Sequence, residues 1–179
     1  MKKALYMLAE FSDRDFDWLL NAGRRKEVSA KSILIYEGEP TDAFYIVLRG
    51  TLSVCIEAMG GEEIAKLSTG EVVGEMSFID TRPPSATVKA LEDSLVWAIP
   101  RSKLSAKLMQ DVEFASHFYH AIAVFLSDRL RLTVSRLGFD QEFSLEDDDE
   151  KNINPQIIDN LELAKARLDW LLNRLMGVL

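Results

Sequence analysis

The sequence predicts a mostly β fold with added α-structure: an antiparallel β-barrel or jelly roll flanked by helices, then a long helix and a further terminal helix. Three observations carry this. Between Ile33 and Ile99, short apolar runs alternate with period two and are cut by glycines at regular intervals. From Arg101 the apolar spacing changes to the helical three-and-four. Beyond an acidic stretch, Asn154-Pro155 opens a last segment with one apolar face.

In chain order, the first element is a helix over roughly 12–21. Ser12 is its N-cap, Asp13 and Asp15 suit the first turn, and Phe11, Phe16, Leu19 and Leu20 supply an apolar side before Gly23 stops it. Ile33–Tyr36 is a short apolar strand closed by Glu37-Gly38-Glu39-Pro40. Phe44, Ile46 and Leu48 alternate with Tyr45, Val47 and Arg49, and Gly50 turns the chain into Leu52, Val54 and Ile56. Gly60-Gly61 marks a hairpin. Further strands fall at Glu63–Leu67, Glu71–Val73, Ser85–Leu91 and Leu95–Ile99.

A short helix then covers roughly 101–109, and a long one runs from Val112 to Leu137. The long helix has two neighbouring apolar stripes: Phe118, Ile122, Phe125, and Ala123, Leu126, Leu130, Leu137. One stripe can lie on the barrel, and the other can meet a second copy of itself, which predicts a homodimer. These readings divide the chain into a barrel domain with its long helix at 1–138, an acidic linker at 139–152 and an amphipathic helix at 153–179. The last helix carries Ile157, Ile158, Leu161, Leu168, Leu171, Leu172, Leu175 and Met176. That face is too apolar for water, so it packs on its own chain, a dimer mate or a protein partner.

The chain has 179 residues, 47% hydrophobic and 28% charged. No apolar run reaches the length of a bilayer span, and Met1-Lys2-Lys3 is not followed by a secretory h-region, so no membrane contact is expected. Cys55 is the sole cysteine, which excludes an intramolecular disulfide and suits a reducing, cytoplasmic setting. Net charge is −8, and residues 140–152 hold seven acids and one lysine, which leaves −2 for the rest. That distribution lacks the basic footprint of a nucleic-acid binder.

The chemistry concentrates in Gly74-Glu75-Met76-Ser77-Phe78-Ile79-Asp80-Thr81-Arg82-Pro83-Pro84-Ser85-Ala86-Thr87-Val88. The segment leaves a strand, turns and enters another. Backbone N–H groups at such a turn can cradle an anion, glycine lets a ligand approach closely, and a carboxylate beside them accepts from a sugar hydroxyl. With Tyr36–Pro40 leading into Phe44–Gly50, and with Phe118–Leu137 behind, the chain over roughly 10–138 resembles the cyclic-nucleotide-binding domain of bacterial regulators, kinase regulatory subunits and gated channels. The resemblance implies a cyclic nucleotide, cAMP or cGMP, as ligand, with no other cofactor. It implies that Gly74 and Glu75 are the Gly-Glu pair whose glutamate holds the ribose 2′-hydroxyl. It places the backbone of Met76 and Ser77 against the cyclic phosphate, makes Ser85 and Ala86 the small residues after the phosphate arginine, and puts Thr133 near the base.

One departure stands out. Pro84 occupies the position of the phosphate arginine, and it has neither charge nor side-chain donor. Arg82, two residues earlier, either curls back to the anion or stays a solvated loop charge. Loss of a buried charge-assisted contact costs about 1.5–3 kcal/mol, which predicts at least a tenfold weaker hold on cAMP.

Other signals are bland. His117 and His120 share a helix face without further ligands at metal spacing, so they read as surface or interface residues. No catalytic constellation is visible, and an enzyme is not expected. The acids at 146–150 lack the glycine and spacing of a calcium loop. Regulators of the resembled family add a winged helix-turn-helix after the long helix, but Gly138–Leu179 reads as linker and one helix, so no DNA binding is expected. The sequence therefore predicts a sensor or regulatory module acting through its C-terminal helices. The rival prediction is a degenerate domain that binds no ligand and serves as a protein-interaction scaffold.

Overall fold

The computed structural model describes residues 3–80, 82–137 and 160–176. Helix α1 (Lys3–Glu10) opens the chain. Sequence periodicity does not predict it, because Ala4 to Ala9 are all buried and leave no polar face to define a stripe. Helix α2 (Asp13–Ala22) follows, as expected, from a capping box: the Asp15 N–H donates to Ser12 Oγ at 3.2 Å and the Ser12 N–H donates to Asp15 Oδ2 at 2.9 Å. Gly23 ends the helix for lack of space. A Cβ there would lie 2.2 Å from Trp97 Nε1, whose N–H donates to the Leu19 carbonyl at 3.1 Å.

Eight strands follow: β1 (Arg24–Val28), β2 (Ile33–Ile35), β3 (Ala43–Arg49), β4 (Leu52–Ile56), β5 (Glu62–Leu67), β6 (Val72–Val73), β7 (Thr87–Ala90) and β8 (Ser94–Pro100). They form two antiparallel four-stranded sheets, β1-β8-β3-β6 and β2-β7-β4-β5, a double-sheet jelly roll. Strand β1 is a second element that the sequence pattern does not predict. Its Arg24-Arg25-Lys26-Glu27 run reads as polar because it is an edge strand, where charge blocks further pairing. Strand β7 starts at Thr87 rather than Ser85, since Ser85 and Ala86 still belong to a bend.

Helices α3 (Arg101–Gln110), α4 (Val112–Leu137) and α5 (Leu161–Met176) complete the described chain. Among the described residues, helical positions outnumber strand positions, so the expected jelly roll is present in a large helical shell and the mostly β expectation is only roughly matched. The acidic stretch, the Asn154-Pro155 cap, Ile157 and Ile158 lie outside the described residues. No helix among those described is long and apolar enough to cross a membrane.

Two cores result from alternation along the strands. Between the sheets, Val28, Ile35, Tyr45, Val47, Leu52, Leu67, Val88 and Val96 pack together. On the outer face of the β1-β8-β3-β6 sheet, Phe44, Ile46, Leu48 and Trp97 meet the helices. The expected stripe Phe118, Ile122 and Phe125 of α4 faces this second core, joined by Phe114 and Ala121. Of the other stripe, Ala123 and Leu130 are exposed and Leu126 is half-buried, while the side chain of Leu137 lies outside the described residues. Both histidines are interhelical: His117 Nδ1 lies 2.7 Å from Asp15 Oδ2, and His120 Nδ1 lies 2.9 Å from Glu10 Oε2.

Candidate functional site

Strand β6 lies against β3, with Val73 opposite Tyr45 and Val72 opposite Ile46, and delivers the chain to Gly74. Gly74 adopts φ +89°. An added Cβ would be strained and would sit 2.9 Å from the Ala43 carbonyl oxygen, so this position requires glycine. A 3₁₀ turn, Glu75–Phe78, follows at once. Its leading N–H groups precede the first hydrogen bond of the turn, which leaves them outside the turn's own ladder. Glu75 is 3% exposed and Ser77 is buried, whereas the Met76 side chain is exposed. The Ile79 and Asp80 N–H groups both donate to the Met76 carbonyl and close the turn.

The turn is fastened from outside by residues that sequence reasoning did not assign. Arg101 Nη2 donates to the Ser77 carbonyl at 2.7 Å, and its guanidinium lies 5.0 Å from the centre of the Phe78 ring. Phe78 packs edge-on against Phe44 and Phe118, with centroids 6.3 and 6.2 Å away. The signal was faint: one aromatic inside a loop motif, and one arginine at a helix start. Together they connect the turn to α3, β3 and α4. An open cleft of about 250 Å³, lined in part by Ile79, Asp80, Arg101 and Tyr119, lies on this outer side.

The second half of the segment is built differently. Arg82 is 86% exposed on its side chain, with Nε 3.6 Å from Asp80 Oδ2, and its N–H donates to Asp80 Oδ1 at 3.2 Å. Pro84 is half-buried, and its carbonyl accepts from the Gly38 N–H at 2.9 Å. Ser85 is exposed and Ala86 half-buried. The Glu37 N–H donates to Thr87 Oγ1 at 3.1 Å, and Glu37 Oε2 accepts from the Glu57 N–H at 2.8 Å. The loop after β2 is thereby tied to the exit of the segment. Ile35 bridges the halves: it pairs with Val88, and its Cδ1 lies 3.6 Å from where a Gly74 Cβ would stand.

The structure thus brings Gly74, Glu75, Met76 and Ser77 together in one turn, with Ser85 and Ala86 on the strand-entry side. Arg82 is out in solvent on Asp80. Thr133 lies on α4, but its side chain is outside the described residues. Among the described residues no group of three or more His, Cys, Asp or Glu is placed to hold a metal.

A jelly roll backed by a long helix has counterparts among solved proteins. The cyclic nucleotide-binding domain model matches residues 25–111. Those residues belong to the cyclic nucleotide-binding domain family. The cAMP-activated global transcriptional regulator Vfr of Pseudomonas aeruginosa is 28% identical over 131 residues, covering 70% of this chain and 59% of that protein. The Thermus thermophilus catabolite activator protein superposes with a TM-score of 0.62 at 27% identity, over 74% of this chain and 61% of that one. A cyclic nucleotide-binding domain from Methylobacillus flagellatus gives a TM-score of 0.66 at 22% identity, over 79% and 85% of the two chains, a likeness of fold. The chain spans 59% of the Pseudomonas regulator and as little as 11% of other curated relatives. The Gly74–Ala86 segment, hereafter the cassette, lies inside the matched stretch. Helices α1, α2, α4 and α5 lie outside the matched stretch.

Proposed function

We propose that this chain is a non-enzymatic, cytoplasmic regulatory module whose cassette takes a cyclic nucleotide weakly and signals through α4 and α5. The observation that carries the reading is the cassette turn: Gly74 at φ +89° sets a 3%-exposed Glu75 beside the leading N–H groups of a 3₁₀ turn. A carboxylate next to backbone donors suits a ribose hydroxyl next to a phosphate. Arg101 and Phe78 support the output, since any displacement of the turn presses on Phe118 of α4. Weakness follows from Pro84 and from an Arg82 already paired in solvent. Dimerisation is part of the reading: Val112 and Leu130 are 82% and 65% exposed, and with Tyr119, Ala123 and Leu126 they follow heptad spacing. Direct DNA binding and membrane contact are not part of it.

Titration calorimetry with cAMP and cGMP tests the ligand. Wild type is expected to bind weakly, and Pro84→Arg is expected to bind at least tenfold tighter, since the backbone there is already held by Gly38. Equal, absent binding by both proteins would overturn the ligand reading. For the dimer, Leu130→Glu is expected to halve the mass in light scattering with little loss of stability, and an unchanged mass would overturn the α4 seam.

A second reading is favoured by the second half of the cassette, where Pro84 leaves no charge at the expected arginine position and Arg82 is paired in solvent. In it the domain binds no nucleotide and recruits a protein through its C-terminal helix. Binding by Pro84→Arg with none by wild type would select this reading.

A further inference from the structure

The C-terminal helix holds the N-terminal one. Helix α1 has eight residues, a rod about 12 Å long, too short to be stable alone. Its last carbonyls have no partner within the helix, and no basic residue stands in its last turn. Helix α5 supplies both. Arg167, 7% exposed, donates from Nη1 to the Leu8 carbonyl at 2.7 Å and to the Phe11 carbonyl, and pairs through Nη2 with Asp13. Its guanidinium also lies 5.7 Å from the centre of the Phe16 ring. Asn160 Nδ2 donates to the Ala9 carbonyl at 3.3 Å. Ala164, Leu168, Leu171 and Leu175 bury beside it in the helical core.

The other end of α1 is fixed to the chain just before the cassette. The Ala4 N–H donates to the Gly70 carbonyl at 2.9 Å. Lys3 Nζ lies 2.7 Å from Glu71 Oε2, both side chains being 16% exposed. Gly70 and Glu71 in turn exchange backbone bonds with Val47 of β3, and two residues of β6 separate Glu71 from Gly74. One short rod therefore has α5 at its C-terminal end and the cassette's leading strand at the other.

We propose that α5 is a latch: docked, its Arg167 caps α1 and so holds the Gly70–Glu71 turn and the cassette behind it; undocked, it releases them. Anything that draws α5 away alters the cassette, and by linkage anything that settles the cassette alters the docking of α5. The inference does not require that a nucleotide binds.

Hydrogen exchange on the full chain tests it. Arg167→Met is expected to raise exchange at least tenfold in α1 and in Gly70–Ser77, leaving β4, β5 and β7 unchanged. Lys3→Met is expected to raise exchange at Gly70–Ser77 while α5 stays protected. Asn160→Ala removes one carbonyl contact without removing the buried guanidinium, and is expected to give a smaller change with the same distribution. It serves where Arg167→Met does not fold. Exchange that rises in α5 alone, or in α1 without reaching Gly70–Ser77, would overturn the latch, as would a uniform rise that includes the β4-β5-β7 strands.

Discussion

The two halves of the cassette are made by different means. The first, Gly74–Ser77, is made of backbone: a left-handed glycine, a 3₁₀ turn and a buried glutamate. The second, Asp80–Ala86, is the half in which the family resemblance expects a side-chain charge, and it has a proline there and an arginine in solvent. The first half is also bound into the fold, through Ala43, Arg101 and the Phe44–Phe78–Phe118 cluster. The second half is tied mainly by backbone bonds that any residue can make. A turn that the fold needs persists whether or not a ligand visits it. A charge that serves a ligand alone is free to go. The retained Gly74-Glu75 is therefore weaker support for binding than the missing arginine is against tight binding.

The largest effect expected tests the structural debt of the first half. Gly74→Val forces a β-branched residue to φ +89° with its Cβ 2.9 Å from the Ala43 oxygen. The expected loss is about 2–4 kcal/mol, read by urea unfolding. A loss below about 1 kcal/mol would mean that the turn relaxes freely and that the fold does not need it. The comparison between the halves would then fail.

The sequence made the same half legible. Period-two alternation and short apolar runs located most of β2–β8, because those strands bury at least one face, whereas β5 is exposed but for Leu67 and is legible from the Gly60-Gly61 hairpin before it. The glycine-glutamate pair stood out because a backbone requirement fixes a residue type. Helix α1 was invisible for the opposite reason: burial of Ala4–Ala9 on every side erases the helical stripe. Strand β1 was hidden because an edge needs charge. Arg101 and Phe78 act on the cassette from 24 and 40 residues away from their partners Ser77 and Phe118, and no local pattern encodes such pairings. Arg167 is harder still. A lone arginine on an amphipathic helix reads as solvated, yet it is buried against carbonyls more than 150 residues distant.

The helical shell supplies a side-chain-built cluster that is complete, and it sharpens the contrast with the cassette's second half. Asp15 is 3% exposed. Burial pushes its carboxyl up, but hydrogen bonds from Ser12 and His117, the Ser12 N–H and the His117 charge together hold it below the ordinary carboxylate value. A depressed folded-state value means that ionised Asp15 stabilises the fold above the unfolded pKa of about 4, and that this contribution disappears as pH falls through the folded value. Asp15→Asn is expected to cost about 1–2 kcal/mol at pH 7 and progressively less as the pH falls below about 4, in urea titrations across that range. A cost independent of pH would show that shape, not charge, is what the cluster needs.

The smallest effect is the most direct probe of the second half. Arg82 is 86% exposed, and its partner Asp80 stands two residues away at 3.6 Å, so the pair is a solvated surface contact. Arg82→Ala is expected to change stability by less than about 0.5 kcal/mol. It is also expected to leave the nucleotide affinity proposed for the wild type unchanged within twofold, by calorimetry. A tenfold loss of affinity with unchanged stability would mean that Arg82 leaves Asp80 and turns inward when an anion arrives. The second half would then be a site assembled by its ligand, with Pro83-Pro84 as its hinge. An unchanged affinity leaves the backbone of Met76 and Ser77 as the anion's principal hold, which is the arrangement that Pro84→Arg is expected to strengthen.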